Sequence, residues 1–268
     1  MTISRVWKLA ACLLLATTAT ALADEPTRIR VLCYNIHHGA GMDGKVDIER
    51  IAKVILSVDP DLVSLQEIDR GVKRSHGIDE PAELGRLTKM THLFERNIPF
   101  QGGDYGNAIL SRLPVTGHRN VHLPSHYEGE QRGALVAELT APNAAKTPIR
   151  FIATHIDYRG DDAERMDSVK AIEEAAREKP DVPTILAGDL NSLPDSRVMK
   201  AFGENWTRTD DGSDSSSLFT FPADQPNRQI DYVLVRPAKR WKVVETRVLD
   251  EPVASDHRPL LVVLELVD

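Results

Sequence analysis

The chain has 268 residues, 41% of them hydrophobic and 5% aromatic, with 33 basic residues against 40 acidic ones and a formal charge of −7. A net acidic chain of this length has no general attraction for nucleic acid or anionic membranes, and two cysteines exclude a disulfide-rich framework. The first 23 residues read as a leader: Arg5 and Lys8 open it, residues 9–21 are apolar, and Ala21-Leu22-Ala23 fits small-x-small cleavage before Asp24. The apolar run is too short for a good membrane span, and too few apolar residues precede Cys12 for a lipidation box. The expectation is therefore an exported protein, secreted or periplasmic, with one domain over 24–268. Cleavage removes Arg5, Lys8 and Cys12, leaving 31 basic residues against 40 acidic ones, a formal charge of −9, and Cys33 alone. A lone cysteine makes no internal disulfide and no thiolate zinc site.

Along the mature chain, 28–34 reads as a strand, with Cys33 alternating with Val31 as a small buried residue. Residues 46–58 carry apolar side chains at helical spacing and are stopped by Asp59-Pro60-Asp61. A strand at 62–65 and a helix at 81–90 follow, then strand-like pieces at 92–96, 107–111 and 115–123. Segments 134–139 and 149–154 alternate as a neighbouring pair of strands. Residues 162–178 form a charged amphipathic helix, 184–187 a buried strand and 194–202 a short helix. Strands at 229–235, 243–249 and 259–266 close the chain, and 210–217 is a polar loop. So many short strands do not fit one doubly wound parallel sheet; two packed mixed sheets with helices outside both fit better.

Five polar clusters interrupt these apolar strands: Tyr34-Asn35, Gln66-Glu67, Thr154-His155-Ile156-Asp157, Gly188-Asp189-Leu190-Asn191 and Ser255-Asp256-His257. Any one of them alone reads as a turn, a cap or a solvated rim. In series at strand ends, they offer a hard divalent cation and a phosphate a common set of oxygen donors and imidazoles, and so point to metal-dependent phosphoester hydrolysis. Asp189 and Asn191 are one residue apart and share a direction in extended chain; a carboxylate beside a neutral amide suits a water nucleophile. Asp256 and His257 are adjacent, so both reach one site only through a turn, with which Arg258-Pro259 agrees.

In order and local sequence these clusters, with Gly106-Asn107-Ala108-Ile109-Leu110-Ser111-Arg112, resemble the endonuclease/exonuclease/phosphatase superfamily over 28–267. The resemblance implies a four-layered α/β sandwich of two mixed β-sheets flanked by helices, with the site at one end of both sheets. It implies Asn35, Glu67 and Asp256 as ligands of Mg²⁺ (or Mn²⁺), and His155, Asp189, Asn191, Asp231 and His257 as catalytic residues. Asp231 is expected to orient a histidine, His257 being favoured over His155. Arg74, Asn107 and Arg132 are expected to contact the substrate, with Arg70, Lys73 and His76 on the same rim. The implied partner is a phosphoester, a small or lipid-derived phosphodiester being favoured over nucleic acid, and the protein is expected to be a monomer without a stable protein partner. The alternatives are a secreted deoxyribonuclease and a non-catalytic binder on the same fold.

Overall fold

A computed structural model describes residues 26–143, 145–210 and 215–267. The leader predicted at 1–23 and residues 211–214 of the polar loop lie outside the described residues. Twelve strands form two mixed sheets of six. The first contains β1 (Arg28–Asn35), β2 (Leu62–Arg70), β3 (Thr91–Phe100), β4 (Gly103–Ser111), β11 (Trp241–Val248) and β12 (Leu260–Leu266), in the order β11-β12-β1-β2-β4-β3. The second contains β5 (Val115–His122), β6 (Gly133–Thr140), β7 (Pro148–His155), β8 (Thr184–Asp189), β9 (Thr207–Arg208) and β10 (Asp231–Arg236), in the order β5-β6-β7-β8-β10-β9. Among the described residues only β1–β2 and β7–β8 pair in parallel. Each of these pairs is joined by a crossover helix, α1 (Ile48–Leu56) in the first sheet and α3 (Ala163–Arg177) in the second, as parallel neighbours require.

Alternation sorts every central strand between two cores. Ile29, Val31 and Cys33 of β1 face the space between the sheets with Phe151, Ala153, Ile185, Ala187, Val233 and Val235. The intervening Leu32 and Tyr34 face outward under α1 and α2 (Glu80–Thr88), against Ile51, Ile55 and Leu84. On the other side Ile152, Leu186 and Leu234 pack under α3 and α4 (Arg197–Gly203) through Ile172, Met199 and Phe202. The molecule is thus four layers, helix–sheet–sheet–helix, as the strand pattern implied.

The helix ends follow their capping chemistry. Asp47, Asp79 and Ser196 accept hydrogen bonds from the Arg50, Ala82 and Met199 amides, so the helix predicted over 46–58 begins only after Asp47. The pieces expected at 92–96 and 107–111 are parts of one long hairpin, β3–β4. Its two-residue turn, Gln101-Gly102, has φ of +43° and +89°, the positive pair that a tight hairpin needs. The strand expected at 62–65 runs on to Arg70 through a β-bulge between Leu65 and Ile68.

Gly188 reads in sequence as part of a turn, yet it sits inside β8, paired with Thr154 and Tyr232. A Cβ there would lie 2.1 Å from the Thr154 carbonyl oxygen, so the backbone of β7 leaves no room for a side chain. Gly188→Ala should therefore destabilise the fold by about 1–3 kcal/mol, read as a lower urea midpoint with an unchanged slope; an unchanged midpoint would contradict this packing.

Candidate active site

The parity that builds the inter-sheet core also builds the site. Continuing Ile29, Val31 and Cys33 by two residues brings Asn35 to the same face. On the second sheet the same step brings His155 after Ala153 and Asp189 after Ala187, while Asp231 precedes Val233. These ends are level across the sheet, for His155 pairs in register with Asp189 and Asp189 with Asp231. Glu67 breaks the parity, being odd where Ser64 and Gln66 are even. The bulge corrects it: Gln66 and Glu67 together stand opposite Asn107, and Glu67 has φ of +59°. The extra residue turns the carboxylate to the rim, as bulges next to active sites do.

Asn35 links the two sheets at this end, its Nδ2 donating to Glu67 Oε1 at 3.1 Å and to Asp189 Oδ2 at 3.2 Å. Its Oδ1 accepts the His37 N–H at 3.1 Å. Asn191 lies beyond β8 with φ of +43°; its N–H donates to Asp189 Oδ1 at 2.9 Å, and its Nδ2 meets His155 Nε2 at 3.0 Å. His257 Nδ1 lies 2.8 Å from Asp231 Oδ2, while its Nε2 points to Asp189 Oδ2 at 3.7 Å. His155 lies 3.4 Å from that same oxygen. Asp231 thus pairs with His257, and Asp189 lies between the two imidazoles.

The two histidines, both buried, are driven in opposite directions. Burial, reinforced by Arg132 and His257, holds His155 well below the usual imidazole range. Burial opposes charge on His257 too, but Asp231 and Asp189 outweigh it and raise the ring to about 10. Asp189 is raised to about 7 by burial and by Asp231, against the pull of His257, the Asn191 amide and Asn35. A neutral imidazole, an imidazolium and a carboxyl near neutral pKa therefore share one pocket, a separation that assigns acid and base roles.

These groups open on a cleft of about 520 Å³, whose lining includes Glu67, Asp256, Arg74, Arg132, Phe221 and Arg228. Arg74 is held bidentately by Asp69, 2.9 Å to each oxygen, and lies over the Phe100 and Tyr105 rings. Arg132 is buried against Glu130 at 2.7 Å, with its Nε unpartnered. Asn107, expected at the substrate, is instead buried with its Nδ2 donating to the Gly133 carbonyl at 2.9 Å, joining β4 to β6; its parity places it on the inter-sheet face behind the cleft. Asp256 and His257 lie in the turn before β12, which Ser255 Oγ fixes by donating to the Asn35 carbonyl at 2.8 Å.

Four residues of this region went unread in the sequence. His37 and His38 follow Asn35 after a single residue, Ile36, and a doubled histidine just past a strand end was a usable signal. Phe221 packs against the His257 ring at 4.8 Å, and Arg228 lies over Phe221 without a carboxylate partner among the described residues. Both come from a loop with no periodicity to mark it.

The profile of the endonuclease/exonuclease/phosphatase family matches residues 32–257. The chain belongs to that family. Its members are hydrolases acting on phosphoester bonds. The chain is 26% identical over 250 residues to the uncharacterized protein YbhP of Escherichia coli K12, covering 86% of this chain and 94% of that one. An endonuclease/exonuclease/phosphatase from Beutenbergia cavernae superposes with a TM-score of 0.70 at 29% identity, covering 90% of this chain and 72% of that one. A mannosyl-6-phosphatase of Bacteroides thetaiotaomicron superposes with a TM-score of 0.72 over 90% of this chain and all of its own; at 18% identity it shares the fold alone.

The opposed histidines give a direct test in protein freed of divalent ions. Imidazole NMR should show His257 protonated through neutral pH and titrating near 10, with His155 neutral down to well below 6.5. A histidine raised from 6.5 stabilises the fold fully below that pH, and the contribution fades as pH rises through about 10. Asp231→Asn should lower the His257 pKa and lose stability chiefly at the acid end of that window. A His257 ring that titrates at 6.5 in both proteins would refute the assignment.

Proposed function

We propose that this chain is an exported, Mg²⁺- or Mn²⁺-dependent phosphoester hydrolase acting on a small or lipid-derived phosphodiester. The observation that carries the reading is the buried Asp189, set between a His257 paired with Asp231 and a neutral His155. The donor set suits a hard cation: Glu67 and Asp256 are carboxylates on the cleft wall, and the one cysteine among the described residues, Cys33, is buried away from it. Asn35, whose Oδ1 is engaged by His37, supports this pair by fixing Glu67. Bound at Glu67 and Asp256, the cation supplies stabilisation of negative charge on the phosphoryl oxygens.

The chain's own groups divide the remaining work. Asp189, raised to about 7, takes the proton of the attacking water, a role favoured by a pKa near working pH, as the water oxygen bonds to phosphorus and the P–O bond to the leaving oxygen breaks in line. That oxygen leaves with its electron pair and takes up a proton from solvent. Asn191 fixes the Asp189 carboxylate through its N–H. The His257 imidazolium donates from Nε2 to a phosphoryl oxygen, while Asp231 holds the ring through Nδ1 and compensates its charge. His155 offers an uncharged ring on the opposite side of Asp189.

The cleft supports a bounded substrate. Its lining joins the aromatic rings of Phe100, Tyr105, Tyr158 and Phe221 to the guanidinium groups of Arg74, Arg132 and Arg228, a combination that suits an anionic group attached to an apolar or ring-bearing one. With −9 formal charges on the mature chain, little affinity comes from releasing counterions along a DNA backbone. The leader sequence supports export, which N-terminal sequencing of exported material tests: a start at Asp24 agrees, and retained Met1 in a cytoplasmic form does not.

Chelation should abolish hydrolysis, and Mg²⁺ or Mn²⁺ should restore it. Glu67→Gln should raise the Mg²⁺ concentration for half-maximal rate at least about tenfold, as loss of a charged oxygen ligand demands. Undiminished turnover after exhaustive chelation would end the metal-dependent reading.

A substrate panel separates the remaining alternatives. Small or lipid-derived phosphodiesters should turn over faster than plasmid is nicked, with weak dependence on ionic strength. Arg228→Ala should raise KM more than it lowers kcat, since the side chain is exposed and lies over Phe221, not against the groups around Asp189. Rapid plasmid cleavage with a steep salt dependence, and no turnover of small esters, would identify a nuclease.

A further inference from the structure

One residue past β1, after Ile36, His37, His38 and Gly39 follow one another with φ of +48°, +45° and +70°. Left-handed backbone costs an L-residue about 1–2 kcal/mol, and here two non-glycine residues adopt it in succession. The surrounding backbone enforces the turn: Gly39 N donates to Ile36 O at 2.9 Å, Ala40 N to His37 O at 2.8 Å, and Asp47 N to Gly39 O at 2.9 Å. Strain held this firmly marks a functional site when its side chains converge. They do: one ring nitrogen of each histidine and one carboxylate oxygen of Glu67 all lie within 4.8 Å of one another.

Two further observations point to a ligand. His37 Nδ1 lies 3.2 Å from the Ala40 carbonyl; a ring nitrogen facing a carbonyl carries the proton, leaving the Nε2 lone pair free, the arrangement that usually supports a metal-binding imidazole. His38 Nδ1 is buried without any hydrogen-bond partner, and a buried ring nitrogen in a native fold is normally satisfied. Glu67 is also held in a left-handed conformation by the bulge, at φ +59°, and Asp256 Oδ1 lies 3.9 Å from His37 Nδ1 as a second carboxylate at the edge.

We propose that His37, His38 and Glu67 form a binding site for a divalent transition ion of the Zn²⁺ class, beside the oxygen-donor position of Asp256. Two imidazoles and a carboxylate are the donors that such ions take, whereas Mg²⁺ favours oxygen and retained water. Donors in a tetrahedral zinc site stand about 3.3 Å apart, so modest side-chain rotation closes the three around an ion. The site shares Glu67 with the cation position proposed above but does not depend on the hydrolytic reaction.

The test uses the full chain, stripped with chelator and titrated with Co²⁺, whose visible absorption reports nitrogen donors and low coordination number, with Zn²⁺ as competitor. The expected result is a Co²⁺ spectrum displaced by Zn²⁺, weakened at least about tenfold in affinity by His37→Asn or His38→Asn and lost in Glu67→Gln. Unchanged affinity and spectrum in both histidine variants would overturn the site. Should a variant fail to fold, imidazole NMR of the unaltered protein decides: Zn²⁺ must shift the His37 and His38 ring signals, and rings unmoved at saturation overturn the proposal. Because the readout is the bound ion, a Co²⁺ spectrum without hydrolysis supports this site and counts against the reaction; hydrolysis without the spectrum does the reverse.

Discussion

Asp189 is a buried carboxylate surrounded by Asn35, Asn191, Asp231, His155 and His257, and much of the molecule is arranged to make that placement tolerable. An isolated charge there would cost several kcal/mol. It is met instead by two amides, by an imidazolium and by a carboxyl equilibrium shifted toward neutrality. These compensating groups come from both sheets and from the turn before β12. The sheet ends must therefore stay together, although the core behind them is apolar and directionless. Directional contacts supply that constraint: Asn35 reaches across to Asp189, Ser64 Oγ donates to the Ala187 carbonyl at 2.8 Å, and Asn107 reaches Gly133. A polar seam crosses the inter-sheet space just where the hydrophobic packing ends.

The four layers were legible because alternation and helical spacing are dictated by the same two cores that the chain builds. Asn35, His155, Asp189 and Asp231 were picked out by their strand-end positions and the family resemblance; in the structure each stands in step with apolar residues facing the inter-sheet space. Glu67 was read as the end of its strand, since nothing in Gln66-Glu67 announces a bulge; it is a property of pairing with β4. Asn107 misled because its position in a family-like stretch says nothing of which face it occupies. His37 and His38 were passed over because a turn after a strand is the ordinary expectation, and left-handed backbone at histidine leaves no trace in composition. Phe221 and Arg228 reach the cleft through a loop whose path is fixed by distant contacts, Ala223 N to Asp256 O at 2.7 Å and Arg258 N to Thr220 O at 2.7 Å.

The site also divides by donor chemistry. Toward the second sheet, Asp189, Asp231 and the two buried imidazoles form a proton-handling half. Toward the first, Glu67, Asp256 and the exposed-side histidines form a half suited to cations. Asn35 stands on the boundary with its amide hydrogens toward both carboxylates, so one side chain links the two halves directly.

The bulge at Gln66-Glu67 has a consequence for how this stretch can vary in length. Before it, odd-numbered residues of β2 face the outer helices; after it, even-numbered Ile68 does so. Deleting one residue between Leu65 and Ile68 would let the ladder with β4 run straight, and the outer core would still be filled. The cell would then hold a well-folded protein whose rim had lost its acid. Length at this point therefore matters to the rim and not to the packing behind it: a chain one residue shorter here could keep the scaffold and still lose the Glu67 carboxylate.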